Sequence, residues 1–326
     1  MTLGSRARAL AYQLGLVAGV AFVGWYVVSN TVHNLETRRI ASGFAFLARE
    51  AGFEIGETTF IAYGAADSYL RALTVGLLNT FRVALIGIVC ATLLGTLIGL
   101  ARLSTNWLVA RLAAGYVETM RNIPLLVQLF FWYAIISENL PGPREAIEAL
   151  PGVFMSNRGI VFPAIASWWP LRVEWPVLQG FNFSGGIALT PEFAALLFGL
   201  VIYTAAFIAE IVRAGVLAVD KGQHEAAASL GISRWHAIRL VILPQALRVI
   251  VPPMTSQFLN LTKNSSLAVA IGYPDLVSIA NTTMNQTGQA IEGIAIIMLV
   301  FLTISLSISA LMNWYNRRIA LRGAAR

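Results

Sequence analysis

The chain has 326 residues, of which 57% are hydrophobic and 12% charged, with a formal net charge of +7. Charge this sparse excludes a soluble domain of ordinary composition and points to an integral membrane protein. A single cysteine, Cys90, excludes an internal disulfide and is expected as a buried, inert thiol. His33, His224 and His236 do not cluster with cysteines or carboxylates at ligand spacing, so no metal site is expected. No glycine-rich loop ending in Gly-Lys-Ser/Thr is present, so ATP is not expected to bind by that route.

Apolar runs of about 20 residues suffice to cross a bilayer. The first lies near 10–29, after Arg6 and Arg8. It resembles a signal peptide, but it ends Val27-Val28-Ser29-Asn30 without a small-x-small cleavage site, so an uncleaved anchor is expected. Trp25 and Tyr26 suit the interfacial belt at its outer end. A polar stretch over about 30–72 follows, carrying Glu36, Arg38, Arg39, Glu50, Glu54 and Glu57. Further runs lie near 76–101 and 113–137. In the former, Gly87, Ala91, Gly95 and Gly99 form a small-residue stripe suited to close helix packing. A second polar stretch, 138–189, holds Pro141, Pro143, Pro151, Pro163, Pro170, Pro176, Trp168, Trp169 and Trp175. Its run Gly159–Trp169 is too short to span and reads as interfacial. It is either a solvated loop with a few membrane-touching aromatics or a docking surface for an extracytoplasmic partner.

Runs near 193–212 and 293–314 are plain spans. The run near 249–272 is weaker, since it contains Pro252, Pro253, Asn260, Thr262, Lys263 and Asn264. Charge settles its crossing. With six spans and the N-terminus inside, the inner segments hold 13 cations and two acids, and the outer segments hold seven cations and twelve acids. The positive-inside rule is obeyed with both termini cytoplasmic. The basic excess therefore records topology and not a nucleic-acid partner.

Between the spans near 193–212 and 249–272 lies Glu225-Ala226-Ala227-Ala228-Ser229-Leu230-Gly231, continued through Ser233 to Val241-Ile242-Leu243-Pro244. Glu225 and the alanines favour helix, and Gly231 suits a left-handed helix end. Ser233 is expected to cap a second short helix, which Pro244 closes by disfavouring helix at Leu243. The result is a polar helical hairpin over 222–244, a shape that fits a groove on a soluble partner.

Few charges lie at membrane depth: Arg82, Glu118, Arg121, Glu210 and Lys263. Glu118 with Arg121, and Glu210 with Arg213, are each three apart and suited to pair. Such pairs either anchor a helix end near the headgroups or line a polar pathway as gate contacts. Lys263-Asn264-Ser265-Ser266 cannot face lipid. Either Lys263 snorkels to the inner interface, or the cluster lines a path suited to a zwitterionic solute.

The hairpin spacing is Glu-Ala-Ala, three residues, Gly, nine residues, Val241, one residue, Leu-Pro. It resembles the EAA loop of ATP-binding-cassette importer permeases. Tyr116–Gln128, Tyr203–Gly215 and Lys263–Leu267 resemble segments of the polar amino acid (His/Glu/Gln) branch. Asn122-Ile123 stands where that branch more often has Gly-Thr. The extra first span, the loop after it and Asn79–Ser104 look closest to general L-amino acid permeases of the Aap/Bzt type.

The resemblance implies an all-α polytopic fold of about six spans: a five-helix, MetI-like type I core plus the N-terminal anchor. The expected organisation is an anchor over 1–29, a periplasmic loop over 30–72, and a permease core over 73–326 with periplasmic insert 138–189. The resemblance also implies a bacterial inner-membrane subunit that takes up L-amino acids and catalyses nothing itself. Its implied partners are a homologous second permease as a heterodimer, two cytoplasmic ATPases carrying ATP and Mg, and a periplasmic binding protein. Coupling would fall to Gly222, Glu225, Ala226, Ala227, Gly231, Leu243 and Pro244. The path or gate would involve Lys263, Asn264, Ser265, Ser266, Glu210, Arg213, Glu118 and Arg121. An ion-coupled secondary transporter would need acids at mid-membrane or broken-helix carbonyls, and Glu210 lies near the inner edge. An intramembrane enzyme would need a catalytic set such as Ser-His or His-Glu-x-x-His, which is absent.

Overall fold

The computed structural model describes residues 3–37, 42–168 and 171–319. Arg38, Arg39, Trp169 and Pro170, named above, lie outside them, as do two of the inner cations counted above, Arg322 and Arg326. Among the described residues five helices are long and apolar enough to cross a membrane, and a bent pair makes a sixth. The apolar helix α1, Leu3–Thr37, leaves its span window unburied. α2, Tyr69–Ala101, starts at Ser68, whose hydroxyl accepts from the Arg71 N–H.

The expected span 113–137 is instead two helices. α3, Trp107–Asn122, and α4, Leu125–Ala134, meet at 103° across Ile123-Pro124. Proline disfavours helix at the residue before it, and Ile123 is extended. Gln128 Nε2 bridges the break, donating to the carbonyls of Met120 at 3.0 Å and Ile123 at 3.1 Å. A widened π-type turn, Ile135–Asn139, ends this arm.

The insert is not a loop. It holds eight short strands: β1 Ile147–Leu150, β2 Val153–Ser156, β3 Gly159–Phe162, β4 Ala164–Trp168, β5 Leu171–Glu174, β6 Val177–Gln179, β7 Asn182–Ser184 and β8 Ile187–Leu189. They form an antiparallel sheet in the order β1-β2-β3-β8 and two hairpins, β4-β5 and β6-β7. Glycines with positive φ at 152, 180, 185 and 186 turn the chain between strands. The run read as interfacial is β3 and β4; Ile160 is buried in the main core, and Val161 is buried beside it in the sequence.

α5, Pro191–Leu217, is the most enclosed span, capped by Thr190 with Pro191 in its first turn. α6, Lys221–Ser229, and α7, Arg234–Ala237, form the hairpin. α8, Leu243–Asn264, continues through a tight turn, Ser265–Ile271, to a left-handed Gly272. α9, Leu276–Thr287, and α10, Ala290–Ile319, complete the chain. Pro252 and Pro253 lie inside α8 without ending it, as neighbouring helices permit within a membrane. Cys90 is half-buried against the core and not fully enclosed.

The polar stretch after α1 is also folded. Residues 44–68 cap the bundle at the end that carries the β insert. Phe46 is buried, and Phe53, Tyr63 and Tyr69 pack together. The Gly43 N–H donates to Glu292 at 2.5 Å, and Gln289 Nε2 donates to the Gly43 carbonyl at 3.0 Å.

The central contact is α2 on α5. A Cβ added at Gly95 would lie 2.7 Å from Ile208, and one at Gly99 would lie 2.7 Å from the Ala209 carbonyl. The small-residue stripe is thus a packing device, as expected. Gly95→Val should cost roughly 1–3 kcal/mol or more by overpacking. Thermal melting of the purified protein checks this, with Gly115→Ala, which meets open space, as the neutral control.

Candidate functional site

The hairpin is built by local rules. Asp220 caps α6, its Oδ1 accepting the Gly222 N–H at 2.6 Å. At the other end Gly231 has φ +70°. The Gly231 N–H donates to the Ala228 carbonyl at 3.0 Å, and the Ile232 N–H donates to the Ala227 carbonyl at 3.1 Å. Those two bonds are the Schellman closure, which needs a left-handed residue at the corner. Glu225 and Ala226 are exposed, and Ala227 is buried. Ser233 takes the cap position of α7, but its hydroxyl meets His236 Nδ1 at 2.7 Å and not a backbone N–H.

Pro244 does not close α7. The chain passes from α7 through a π-type turn, Ile238–Ile242, straight into α8, and Leu243 is helical. The Leu243 N–H reaches back five residues to the Ile238 carbonyl. Widening the ladder one residue before the proline makes room for its ring and its missing donor. Residues 234–271 therefore form one membrane-length element.

α8 has two unlike faces. Leu247, Ile250, Val251, Met254 and Phe258 face inward toward the other helices. Val249, Pro252, Pro253, Ser256, Asn260 and Lys263 are exposed, and at 100° per residue they lie on the opposite side. Lys263 is thus placed on an outward polar stripe that also includes Ser256 and Asn260. Asn264 and Ser266 are half-buried beside it, with Ser266 Oγ donating to the Lys263 carbonyl at 2.7 Å. Ser265 departs from expectation. It is buried, and its hydroxyl donates to the Thr262 carbonyl at 2.8 Å, because two residues beyond Lys263 the helix has turned about 200° and brings it onto the inward face.

The two expected ion pairs divide. Glu210 and Arg213 meet at 2.6 Å, and Arg102, from the end of α2, binds the other carboxylate oxygen. Glu118 and Arg121 form no ion pair among the described residues. Both are exposed, and the Arg121 guanidinium stands 5.1 Å over the Phe207 ring.

The insert end carries a network the sequence analysis did not assemble. Arg82 Nη1 meets Glu57 at 2.9 Å, both side chains being about nine-tenths buried. Arg82 also lies 4.0 Å over the Phe193 ring. Thr190 Oγ donates to Glu57 at 2.5 Å, and Asn79 Nδ2 spans the carbonyls of Glu57 and Pro274. Beside them Asp275 caps α9, with Oδ1 accepting the Ser278 N–H at 2.8 Å. Its Oδ2 is buried and unpartnered among the described residues.

A span that turns Ser256, Asn260 and Lys263 away from its own core needs water or another chain against it. This is the architecture of a membrane permease component and not of a self-contained bundle. Residues 69–321 match the binding-protein-dependent transport system inner membrane component family, and the chain belongs to that family. It is 49% identical to the putative amino-acid ABC transporter permease protein YhdX of Escherichia coli (strain K12), covering 96% of this chain and 94% of that one. It is 43% identical to the general L-amino acid transport system permease protein AapQ of Rhizobium johnstonii, covering 96% and 92% of the two chains. A crystal structure of an amino acid ABC transporter with histidines superposes with a TM-score of 0.55 at 28% identity, covering 77% of this chain and 95% of that one.

Burial pushes the Asp275 carboxyl up to about 7, against the opposing pull of its backbone hydrogen bonds. A carboxyl raised in the folded state favours the neutral form. Its stabilisation is complete below the ordinary carboxylate range and is lost as pH rises through about 7. The melting temperature of the purified protein should therefore fall from about pH 5.5 to about pH 8. Asp275→Asn, which keeps the cap oxygen, should flatten that fall; parallel profiles for the two proteins would place the titrating group elsewhere.

Proposed function

We propose that this chain is the amino-acid-translocating permease subunit of an ATP-driven importer in the bacterial inner membrane, with both termini cytoplasmic. The observation that carries the reading is the outward polar stripe of α8, continuous with the hairpin. The stripe supplies a solute path against a homologous second permease. Lys263 suits a carboxylate, and Asn260, Ser256 and Ser266 suit either end of an amino acid. The hairpin, with Glu225, Ala226 and Gly231 at its exposed corner, seats on a cytoplasmic ATPase that holds ATP and Mg. A periplasmic binding protein delivers the solute at the insert end. Both the names of the relatives and the charge asymmetry support this assignment.

Glu210 serves here as a brace and not as a gate. Its carboxylate holds Arg102 and Arg213 at the end of the α2–α5 contact, the most tightly apposed helix pair.

Co-purification with the partner permease and ATPase, followed by ATP-dependent uptake of a panel of labelled amino acids, tests the assignment. Uptake without ATP, or with an imposed ion gradient alone, would replace it with ion-coupled transport. In the assembled transporter Lys263→Ala should reduce uptake about tenfold or more, since a charge-assisted contact contributes on the order of 1.5–3 kcal/mol. Unchanged uptake kinetics would move Lys263 off the path.

Gly231→Asp tests the hairpin. Among the described residues, sequence neighbours aside, nothing lies within 4 Å of a Cβ at Gly231, so the direct cost is the left-handed backbone, about 1 kcal/mol or more. Membrane insertion should hold, while ATPase retained on the purified permease and uptake in cells both fall. Full retention with full uptake would remove the hairpin from coupling.

A further inference from the structure

The inward face of α8 borders a groove that the proposed path does not use. It has a volume of about 320 Å³ and is walled by Thr96 on α2, Val216 on α5, Leu247 and Met254 on α8, and Met312 and Tyr315 on α10. Its wall is almost wholly aliphatic, thioether and aromatic, and of its hydroxyls Thr92 Oγ donates to the Ile88 carbonyl at 2.7 Å. A groove at membrane depth with so apolar a wall takes hydrocarbon. Two observations identify the occupant. The polar stripe lies on the opposite side of α8, so a partner subunit or water against that stripe leaves this groove facing the bilayer. The groove also runs to Tyr315 at the hairpin end, and Arg318 follows within one turn, its guanidinium 4.2 Å over Trp314 and exposed. An aromatic hydroxyl and a cation at the mouth of an apolar slot match the headgroup level of a lipid, and the cation matches an anionic one.

We propose that this groove is a binding site for an acyl chain of an anionic phospholipid, whose headgroup phosphate lies at Arg318. The chain inserts between α8 and α10, where those helices leave the slot open. Bound there, it fills space that side chains leave empty beside the element joining the hairpin to Lys263. Lipid charge then acts on the permease from the side opposite the solute path.

The test uses the assembled transporter in nanodiscs of phosphatidylcholine doped with phosphatidylglycerol that carries a photoreactive acyl chain. Labelling should concentrate on α8 within 243–258, at least tenfold above labelling at the lipid-exposed Leu302 and Leu306 of α10. Val216→Phe together with Leu247→Trp should abolish the excess while the α10 signal stays constant. Arg318→Gln should leave groove labelling by phosphatidylcholine probes intact and remove the preference for phosphatidylglycerol. Wild-type labelling no greater at α8 than at Leu302 would overturn the proposal, and that measurement needs no variant to fold. In a Cys90→Ser background, efficient disulfide formation between cysteines at 247 and at Gly19 of α1 would overturn it in favour of the anchor helix. The same result with a partner-subunit cysteine would assign the groove to an interface between permeases.

Discussion

The structure depends on how closely α2 and α5 approach. At Gly95 and Gly99 there is no room for a Cβ, because the Ile208 side chain and the Ala205 and Ala209 carbonyls occupy that space. Backbones this close gain dispersion contacts along their length, which matters in lipid, where burial of apolar surface supplies no comparable drive. Ion pairs close the contact at both ends. Glu210 of α5 holds Arg102, which follows α2, and Arg213 at the hairpin end. Arg82 and Thr190 share Glu57 at the insert end. The other spans take their positions from this pair: α4 and α8 pack on α5, and α9 packs on α2.

Polar groups near the membrane are handled in three ways. Glu57 and Arg82 are removed from solvent and satisfied by each other, by hydroxyls and by an aromatic face. Gln128 is spent on the carbonyls freed at the α3–α4 break, with Oε1 left unpartnered. Ser256, Asn260 and Lys263 are turned outward and left unsatisfied by this chain's core. The first two arrangements are structural. The third is costly for an isolated subunit and is relieved by water or a partner, which is why it marks the proposed path.

Much of this was legible in the sequence, and the exceptions have definite causes. Hydropathy located α1, α2, α5 and α10 because each of those apolar runs is contiguous. Gly231 was legible because a Schellman corner is decided within six residues. Pro244 was misjudged because the rule for the residue before proline assumes an α ladder, and the π-type turn at 238–242 escapes it. Ser265 was misplaced because it lies about 200° around the helix from Lys263, so the two cannot share a face. Arg102 joining Glu210, and Glu57 joining Arg82, arise from tertiary contacts that no local spacing encodes. The β insert was missed because strands of three to five residues, separated by glycines, carry little period-two signal. Ser256 and Asn260 had a usable signal: with Lys263 they fall four and three residues apart, one face of a helix. That spacing was outweighed by reading Asn260 only as a weakness in a span.

Continuity from α7 to α8 changes what the hairpin can do. A helix closed at Pro244 would leave a flexible joint between the hairpin and the membrane. Instead the backbone runs helically from Arg234 past Lys263, about 45 Å at 1.5 Å per residue. A force applied at α7, just past the Gly231 corner, therefore reaches the polar stripe without crossing a loop. The element is not uniformly stiff, since the π-type turn and the Pro252-Pro253 pair each weaken its hydrogen-bond ladder. Bending is thus localised at two points, one beside the hairpin and one beside Ser256. These irregularities divide the element into a segment beside the hairpin, a short rigid link and the segment that carries the polar stripe.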